Sequence, residues 1–280
     1  MKTPKRLQPL VAEGLVDEVL RQLMSGKEAT VYIVRCGENM RCAKVYKDAN
    51  QRSFRKSVSY QEGRKTKNSR QVRAMEKGTR YGRQMQEEAW QSAEVDALYR
   101  LAAAGVRVPQ PYICTEGVLL MDLVTDADGQ PAPRLNDIEL STEQALQFHA
   151  GLLNQVVRML CAGIIHGDLS EYNILVGSDG PVIIDLPQAV DAAGNSNAGA
   201  MLERDVANLA SYFSRFAPEL AGSDYGKEIW RLYQAGSLTP ESELTGRIEI
   251  DHRIADVDAV LEVVKEALLD EERRRLYLAS

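Results

Sequence analysis

His166-Gly167-Asp168-Leu169-Ser170-Glu171-Tyr172-Asn173 decides how this chain is read, together with Asp185, which stands twelve residues later at the end of an apolar run. An aspartate five residues ahead of an asparagine, then a second aspartate behind a short strand, is how kinase-type sites arrange phosphoryl transfer. In that layout the first aspartate accepts or orients the proton of the attacking group. The asparagine and the second aspartate hold the magnesium ions that bridge the ATP phosphates. Such an ion keeps several waters and takes only one or two protein oxygens, so a sparse ligand set suffices. Two unrelated acidic turns would each give half of this text. The order and spacing of both halves favour the phosphoryl-transfer reading.

Ahead of this block, Ser141 and Gln144 have the form of a capping box that opens a long helix to about Cys161. Its apolar stripe carries Ala145, His149, Leu152, Leu153, Val156 and Leu160. His149 on that stripe reads as core, and His166 as a packing residue of the loop; His252 has no assigned role. Behind the block, 174–176 and 182–184 read as short strands around a turn at Gly177 to Gly180. Helices are expected around 202–216 and 256–270. Arg204-Asp205 is expected to open the first of these, with Asp205 either a helix-start acid or a brace for the backbone of the loop.

The N-terminal half supplies the rest of the constellation. Residues 7–23 alternate leucine and valine with charges at helical spacing, which predicts one or two short helices. Thr30-Val31-Tyr32-Ile33-Val34-Arg35, a turn at Gly37-Glu38-Asn39 and a return over 41–46 predict a β-hairpin. Ser25-Gly26-Lys27-Glu28-Ala29 stands directly before it, where a phosphate loop belongs. With one glycine it reads equally as a polar turn, although its N–H groups, Ser25 and Lys27 would cradle phosphate oxygens. Lys44 lies mid-strand with Cys42 and Tyr46 on its own face and Ala43 and Val45 on the other. A helix over 87–104 aligns Trp90, Ala97, Leu98 and Leu101, and Glu94 falls on the same face. A carboxylate on an apolar stripe is costly unless it meets a cation, so Lys44 is its expected partner. Cys42 then points into the cleft beside a bound base. An extended link at 106–111, a buried strand at 118–123 and the break at Gly129-Gln130-Pro131-Ala132-Pro133 place a lobe boundary at about 122–134.

Composition excludes several classes. Of 280 residues, 44% are apolar and 26% charged, as in ordinary globular proteins. No apolar run is long enough to span a bilayer, and the basic N-terminus leads into no signal-type apolar segment. Four cysteines without paired spacing and three histidines give no zinc pattern and suit a reducing cytoplasm. The net charge of −6 hides an asymmetry: residues 47–83 carry twelve basic against three acidic side chains, a local +9 that leaves −15 elsewhere. The basic stretch at 47–85 reads as a loop with fragments of helix, and as either a solvated insert or a contact for RNA.

Together these blocks resemble the RIO family of atypical protein kinases, its type-1 branch in particular. The matching text is Ser25 to Ala29, Lys44, Glu94, Val108-Pro109-Gln110-Pro111, Leu119-Leu120-Met121-Asp122, and the block quoted above. Ile184-Asp185-Leu186-Pro187-Gln188-Ala189-Val190 and Leu202-Glu203-Arg204-Asp205-Val206 complete it, over about residues 22 to 216. The resemblance implies an α+β, bilobal protein-kinase-like fold, with a small antiparallel N-lobe carrying one main helix and a trimmed, mostly helical C-lobe. The expected division is a helical extension over 1–24, an N-lobe over 25–124 and a C-lobe over 125–280. The usual activation segment and peptide-docking helices are expected to be missing: about 95 residues follow Asp185, and they hold no Ala-Pro-Glu.

The resemblance also implies ATP with Mg2+ or Mn2+, a catalytic set of Asp168, Asp185, Lys44 and Glu94, and Asn173 and Asp185 as metal ligands. The implied nucleotide site comprises Ser25, Gly26, Lys27, Glu28, Ala29, Val31, Cys42, Lys44, Met121, Asp122, Val124, Asn173, Leu175, Ile184 and Asp185. Met121 would be the gatekeeper, and the backbones of Asp122 and Val124 would meet the adenine. Serine/threonine kinase activity, self-phosphorylation and ATPase switching through Asp185 during small-subunit ribosome maturation are the activities the family implies. An aminoglycoside-type phosphotransferase shares the His-x-Asp, Asn, Asp layout, but Ser170-Glu171-Tyr172-Asn173 and the Ser25 to Ala29 loop disfavour it. Pro187, where the family often has glycine, and the 47–85 insert depart from the family text. No winged-helix block precedes the lobes and no long tail follows the last helix, which points away from the type-2 branch and from regulation by a tail.

Overall fold

The computed structural model describes residues 3–26, 28–47 and 93–247. Lys27, Trp90, His252, nearly all of the basic insert and the helix expected over 256–270 lie outside these residues.

The N-lobe is a five-stranded antiparallel sheet in the order β1-β2-β3-β5-β4. Its strands are β1 (Glu18–Ser25), β2 (Ala29–Cys36), β3 (Asn39–Tyr46), β4 (Pro111–Thr115) and β5 (Val118–Asp122). The expected hairpin is β2–β3, with Cys36 opposite Asn39 across a two-residue connection. Gly37 there has φ 61, the left-handed conformation that the first position of a tight hairpin turn requires.

Alternation along β3 and β5 serves two interiors. Ala43, Val45, Val118 and Leu120 face an outer core closed by Leu7, Leu10, Val16 and Val19. Tyr46 and Leu119 face the inner core, shared with Leu98 and Leu101 and with the C-lobe. Leu10 belongs to α1 (Gln8–Ala12), one short helix laid on the outer face. The helical extension expected over 1–24 therefore shrinks to this turn, and the sheet begins at Glu18. The reason is visible in β1: it is an edge strand, mostly exposed, with register shifts at Val19/Arg21 and Gln22/Met24. Each shift breaks the period of two, so its apolar residues fall at spacings that mimic a helix.

Helix α2 is described over 93–103 and packs Ala97, Leu98 and Leu101 into the inner core. The C-lobe is built on α3 (Thr142–Cys161). Its capping box is complete: Gln144 N donates to Ser141 Oγ at 3.1 Å and Ser141 N to Gln144 Oε1 at 3.0 Å. Strands β6 (Ile164–Ile165) and β9 (Val190–Asp191) pair, as do β7 (Ile174–Gly177) and β8 (Gly180–Ile183), all antiparallel. Gly177 closes this hairpin against the lobe link: a Cβ there would lie 3.1 Å from Val124 Cγ1. Helices α4 (Ala198–Phe213) and α5 (Tyr225–Gln234) finish the described chain. Helix α4 starts four residues before the expected 202, so Asp205 sits in its second turn rather than at its opening.

His149 is core, as its stripe predicts, at 2% exposure between the rings of Phe213 and Tyr225. Its Nε2 has no hydrogen-bond partner among the described residues, and burial pushes the imidazole down to about 4. Between that value and the ordinary 6.5 the unfolded chain binds the proton and the folded chain does not, so stability falls as pH falls. Urea unfolding is expected to lose about 1 kcal/mol from this residue between about pH 7.5 and pH 5.5. His149→Leu should flatten that part of the pH dependence. An unchanged slope would show that the imidazole ionises freely in place.

Candidate active site

Lys44 occupies the central strand, opposite Val31 of β2 and Leu119 of β5, with 8% of its surface exposed. Its Nζ lies 2.5 Å from Glu94 Oε1 on α2 and 3.1 Å from Asp185 Oδ1, behind β8. The other Glu94 oxygen accepts from Tyr46 Oη at 2.8 Å. Burial works against the ammonium, but the charges of Glu94 and Asp185 outweigh it and hold Lys44 well above its usual range. Burial also works to raise Asp185; Lys44, helped by His166 and Arg134, overcomes this and leaves it below its usual range. The expected pairing of Lys44 with Glu94 is present. Tyr46 is an addition: its place on the Lys44 face was legible, its bond to Glu94 was not. Burial, reinforced by Glu94, raises the Tyr46 phenol far above its usual range, so it is a donor here.

The loop from His166 to Asn173 is fixed from below by α4. Asp205 accepts from Gly167 N at 2.7 Å and Leu169 N at 3.1 Å, so it is a brace for the loop. Burial raises its carboxyl above the usual range against these two bonds and the charges of His166 and Arg204. Arg204 donates to the Gly167 carbonyl, and Asn208 Nδ2 to the Leu169 carbonyl at 3.1 Å. His166 Nδ1 accepts from Asp168 N at 3.3 Å, which leaves Nε2–H to donate to the Ile184 carbonyl at 3.0 Å. Both ring nitrogens are engaged, and the residue is a strut between the two acidic loops, not a base.

Asp168 keeps its carboxylate free of cations at ion-pair distance among the described residues; Gln188 Nε2 donates to its Oδ2 at 3.1 Å. Burial lifts its pKa above the usual value, opposed by His166 and Arg204. That is the direction a proton acceptor for a hydroxyl needs. Asn173 Nδ2 donates to the Asp168 carbonyl at 2.8 Å, which turns its Oδ1 toward the remaining direction. Asp185 has φ 66, an uncommon conformation for a residue with a side chain, and half of its side chain remains exposed. A neutral amide oxygen and an ionised carboxylate are a hard, two-oxygen donor set that suits Mg2+ completed by water and phosphate. Among the described residues no group of three His, Cys, Asp or Glu side chains forms a closed metal cage.

Between sheet and C-lobe lies a cavity of about 260 Å3. Of the residues expected at a nucleotide, Gly26, Glu28, Ala29, Val31, Cys42, Lys44, Met121, Asp122, Val124, Leu175, Ile184 and Asp185 line it. Glu94 lines it too, and burial drives the Cys42 thiol up to about 12, so it is an inert wall atom. Ser25 stands outside the lining: its hydroxyl lies 3.2 Å from Thr30 Oγ1 and accepts from Lys47 Nζ at 3.1 Å. Asn173 likewise stands outside the lining, tied to Asp168. Lys27 lies outside the described residues. In the lobe link Val124 O accepts from Ala132 N at 3.0 Å, while Val124 N–H has no partner among the described residues. The Asp122 side chain points away, held by Tyr112 Oη and by Arg41 at 3.6 Å.

Sequence reasoning missed Leu23, Met24, Leu98, Pro109, Leu123, Pro131, Ala132, Arg134 and Leu186 in the lining. Pro109 and Pro131 stood in quoted motifs, but only the folding back of the lobe link brings Pro131, Ala132 and Arg134 over the cleft.

Lys44, Glu94 and Asp185 thus meet in one cleft, with the Asp168–Asn173 loop tied to the segment before Asp185 through His166, and the RIO domain family profile matches residues 30–225. This chain belongs to the RIO family. It is 34% identical over 214 residues to the RIO-type serine/threonine-protein kinase Rio1 of Haloferax volcanii, covering 76% of this chain and 69% of that one. It is 29% identical to the serine/threonine-protein kinase RIO1 of Homo sapiens, over 76% of this chain and 36% of that one. The Rio1 of Methanocaldococcus jannaschii matches at 32% over 76% and 69%. This RIO protein is accordingly an enzyme of the serine/threonine-protein kinase class.

Lys44 and Glu94 act as one unit: without Lys44 the Glu94 carboxylate is buried with no cation, and without Glu94 the ammonium is left to Asp185 alone and loses its fixed position. Lys44→Ala and Glu94→Ala are each expected to cut turnover at least about tenfold, and the double variant should be hardly worse than either. Fully multiplicative losses would show independent roles.

Proposed function

We propose that this RIO protein is an ATP- and Mg2+-dependent phosphotransferase that phosphorylates itself and hydrolyses ATP through an aspartyl-phosphate at Asp185. The observation that carries the reading is the Lys44 ammonium, bonded at once to Glu94 and to Asp185. It supports a site in which the N-lobe lysine positions phosphates directly beside the metal-binding carboxylate. Asn173 and Asp185 would hold Mg2+, which supplies charge neutralisation on the phosphates. The adenine would sit between Ala29, Val31 and Leu175, with Val124 N–H as donor. Asp168 would take the proton of an attacking hydroxyl or water.

Ser170 stands where ordinary protein kinases carry a lysine two residues after the catalytic aspartate, so outside hydroxyls lack one charge that would position the transfer. Asp185 is by contrast half exposed and aligned beside Lys44. Its carboxylate oxygen attacks the γ-phosphorus, the bond to ADP breaks, and water later releases phosphate. This favours slow transfer to generic proteins, and an ATPase switch in small ribosomal subunit maturation is the biological setting proposed for it. In cells the cytoplasm is the proposed location; none of the described helices is long and apolar enough to cross a membrane.

Incubation with γ-labelled ATP is expected to yield some self-phosphorylation and a hydroxylamine-labile phosphoenzyme. Asp185→Asn should abolish the labile species, whereas Asp168→Ala should chiefly slow transfer or hydrolysis. Brisk peptide phosphorylation with only hydroxylamine-resistant label would reject the aspartyl route and leave a conventional kinase.

The +9 segment over 47–83 is proposed to contact ribosomal RNA. Deleting 52–82 should then weaken RNA binding at low salt and flatten its salt dependence, since fewer counterions are released. Unchanged binding after the deletion would dismiss the segment as an RNA contact.

A further inference from the structure

The link between the lobes makes an excursion that ends at Arg134. Thr125 pairs with Pro131 across it, and Arg134 then bridges Leu175 in antiparallel fashion, which fixes its backbone beside the floor of the cavity. Its side chain crosses the cleft. The guanidinium meets Met24 Sδ at 3.2 Å, and Met24 is the penultimate residue of β1, directly before Ser25 and Gly26. Arg134 thus spans the mouth from the C-lobe floor to the start of the phosphate loop.

A thioether is a weak acceptor for a charged five-donor fork whose strong partners are carboxylates and phosphates. Among the described residues Arg134 has no carboxylate within ion-pair distance. Two cationic residues, Lys44 and Arg134, line the cavity together with the acidic residues Glu28, Glu94 and Asp185; Asp122 lines it too, but its carboxylate is turned to Tyr112 and Arg41. Lys44 is held by Glu94 and Asp185, so its charge is already matched. Arg134 is the lining cation, among the described residues, that no carboxylate engages, and its field reaches Asp185, whose pKa it helps depress. Ser170 leaves the catalytic loop without the cation ordinary protein kinases place there, so a C-lobe positive charge has to come from elsewhere.

We infer that Arg134 binds the phosphate groups of the nucleotide and sets this cleft's preference for polyphosphorylated nucleotides over nucleosides. The inference rests on the ATP site proposed above. On binding, the fork exchanges the Met24 sulfur for phosphate oxygens.

Calorimetric titration of the full chain, with Mg2+ present, with adenosine, AMP, ADP and ATP tests this for wild type, Arg134→Leu and Arg134→Lys. Arg134→Leu is expected to weaken ATP and ADP about tenfold and adenosine less than about twofold. Arg134→Lys should fall between, because it keeps the charge and loses the fork. Added salt should weaken ATP binding to wild type more steeply than to Arg134→Leu. Equal losses for adenosine and ATP would make Arg134 a packing strut and overturn the inference, as would no loss at all. Should a thermal melt show Arg134→Leu unfolded, Arg134→Lys and Arg134→Gln carry the same comparison. A wild type that binds no ATP refutes the nucleotide site itself. A wild type that binds ATP, with undiminished discrimination in the variants, refutes only the role of Arg134.

Discussion

One lysine ammonium shared between two carboxylates from different lobes organises this molecule. Lys44, Glu94 and Asp185 bring together β3, α2 and the loop behind β8, elements separated by 50 and 141 residues of chain. Removing one member of a buried charge pair costs about 3–5 kcal/mol, mostly because the survivor is stranded. The arrangement therefore turns on the lysine, whose loss would leave two carboxylates side by side without a cation. Its charges do not cancel: two carboxylates against one ammonium leave an excess negative charge beside the exposed half of Asp185. That excess repels a bare polyphosphate and attracts a divalent cation, so the same cluster that joins the lobes argues for a ligand that arrives with metal.

The sheet and the catalytic loop solve one problem from opposite sides. Strand β3 gives one face to an apolar core and the other to Lys44 and Tyr46, so a cavity-lining charge stands on a backbone held by burial behind it. The catalytic loop has no strand of its own to stiffen it. It is held by Asp205, Asn208, Arg204 and His166, each bonding main-chain groups that would otherwise be unsatisfied in a buried place. Asp168 and Asn173 are thereby left with carboxylate and amide oxygens to offer.

Much of this was legible in the text of the chain because it is encoded locally. The β2–β3 hairpin, the Ser141 capping box and the core place of His149 follow from spacing alone. The Lys44–Glu94 pair followed from a rule of cost: a carboxylate on an apolar helix face needs a cation. What escaped is encoded at long range or in irregularity. Arg134 and Ala132 reach the cleft through a folded-back link whose course depends on pairing with Leu175. The bonds of the Ser25 hydroxyl to Lys47 and Thr30 likewise depend on how β2 and β3 pair. Strand β1 has the spacing of a helix in sequence because two register shifts break its alternation.

Those register shifts also protect the sheet. Both outermost strands, β1 and β4, would present rows of unpaired amide and carbonyl groups to any other extended chain. β1 answers with two register shifts and with Glu18 bound sideways to Arg35; β4 begins with Pro111 and has its own shift before Ile113. Irregular, charged or proline-bearing edges cannot template a straight partner strand. The borders of the sheet are thus built to resist intermolecular strand addition and the aggregation that follows from it.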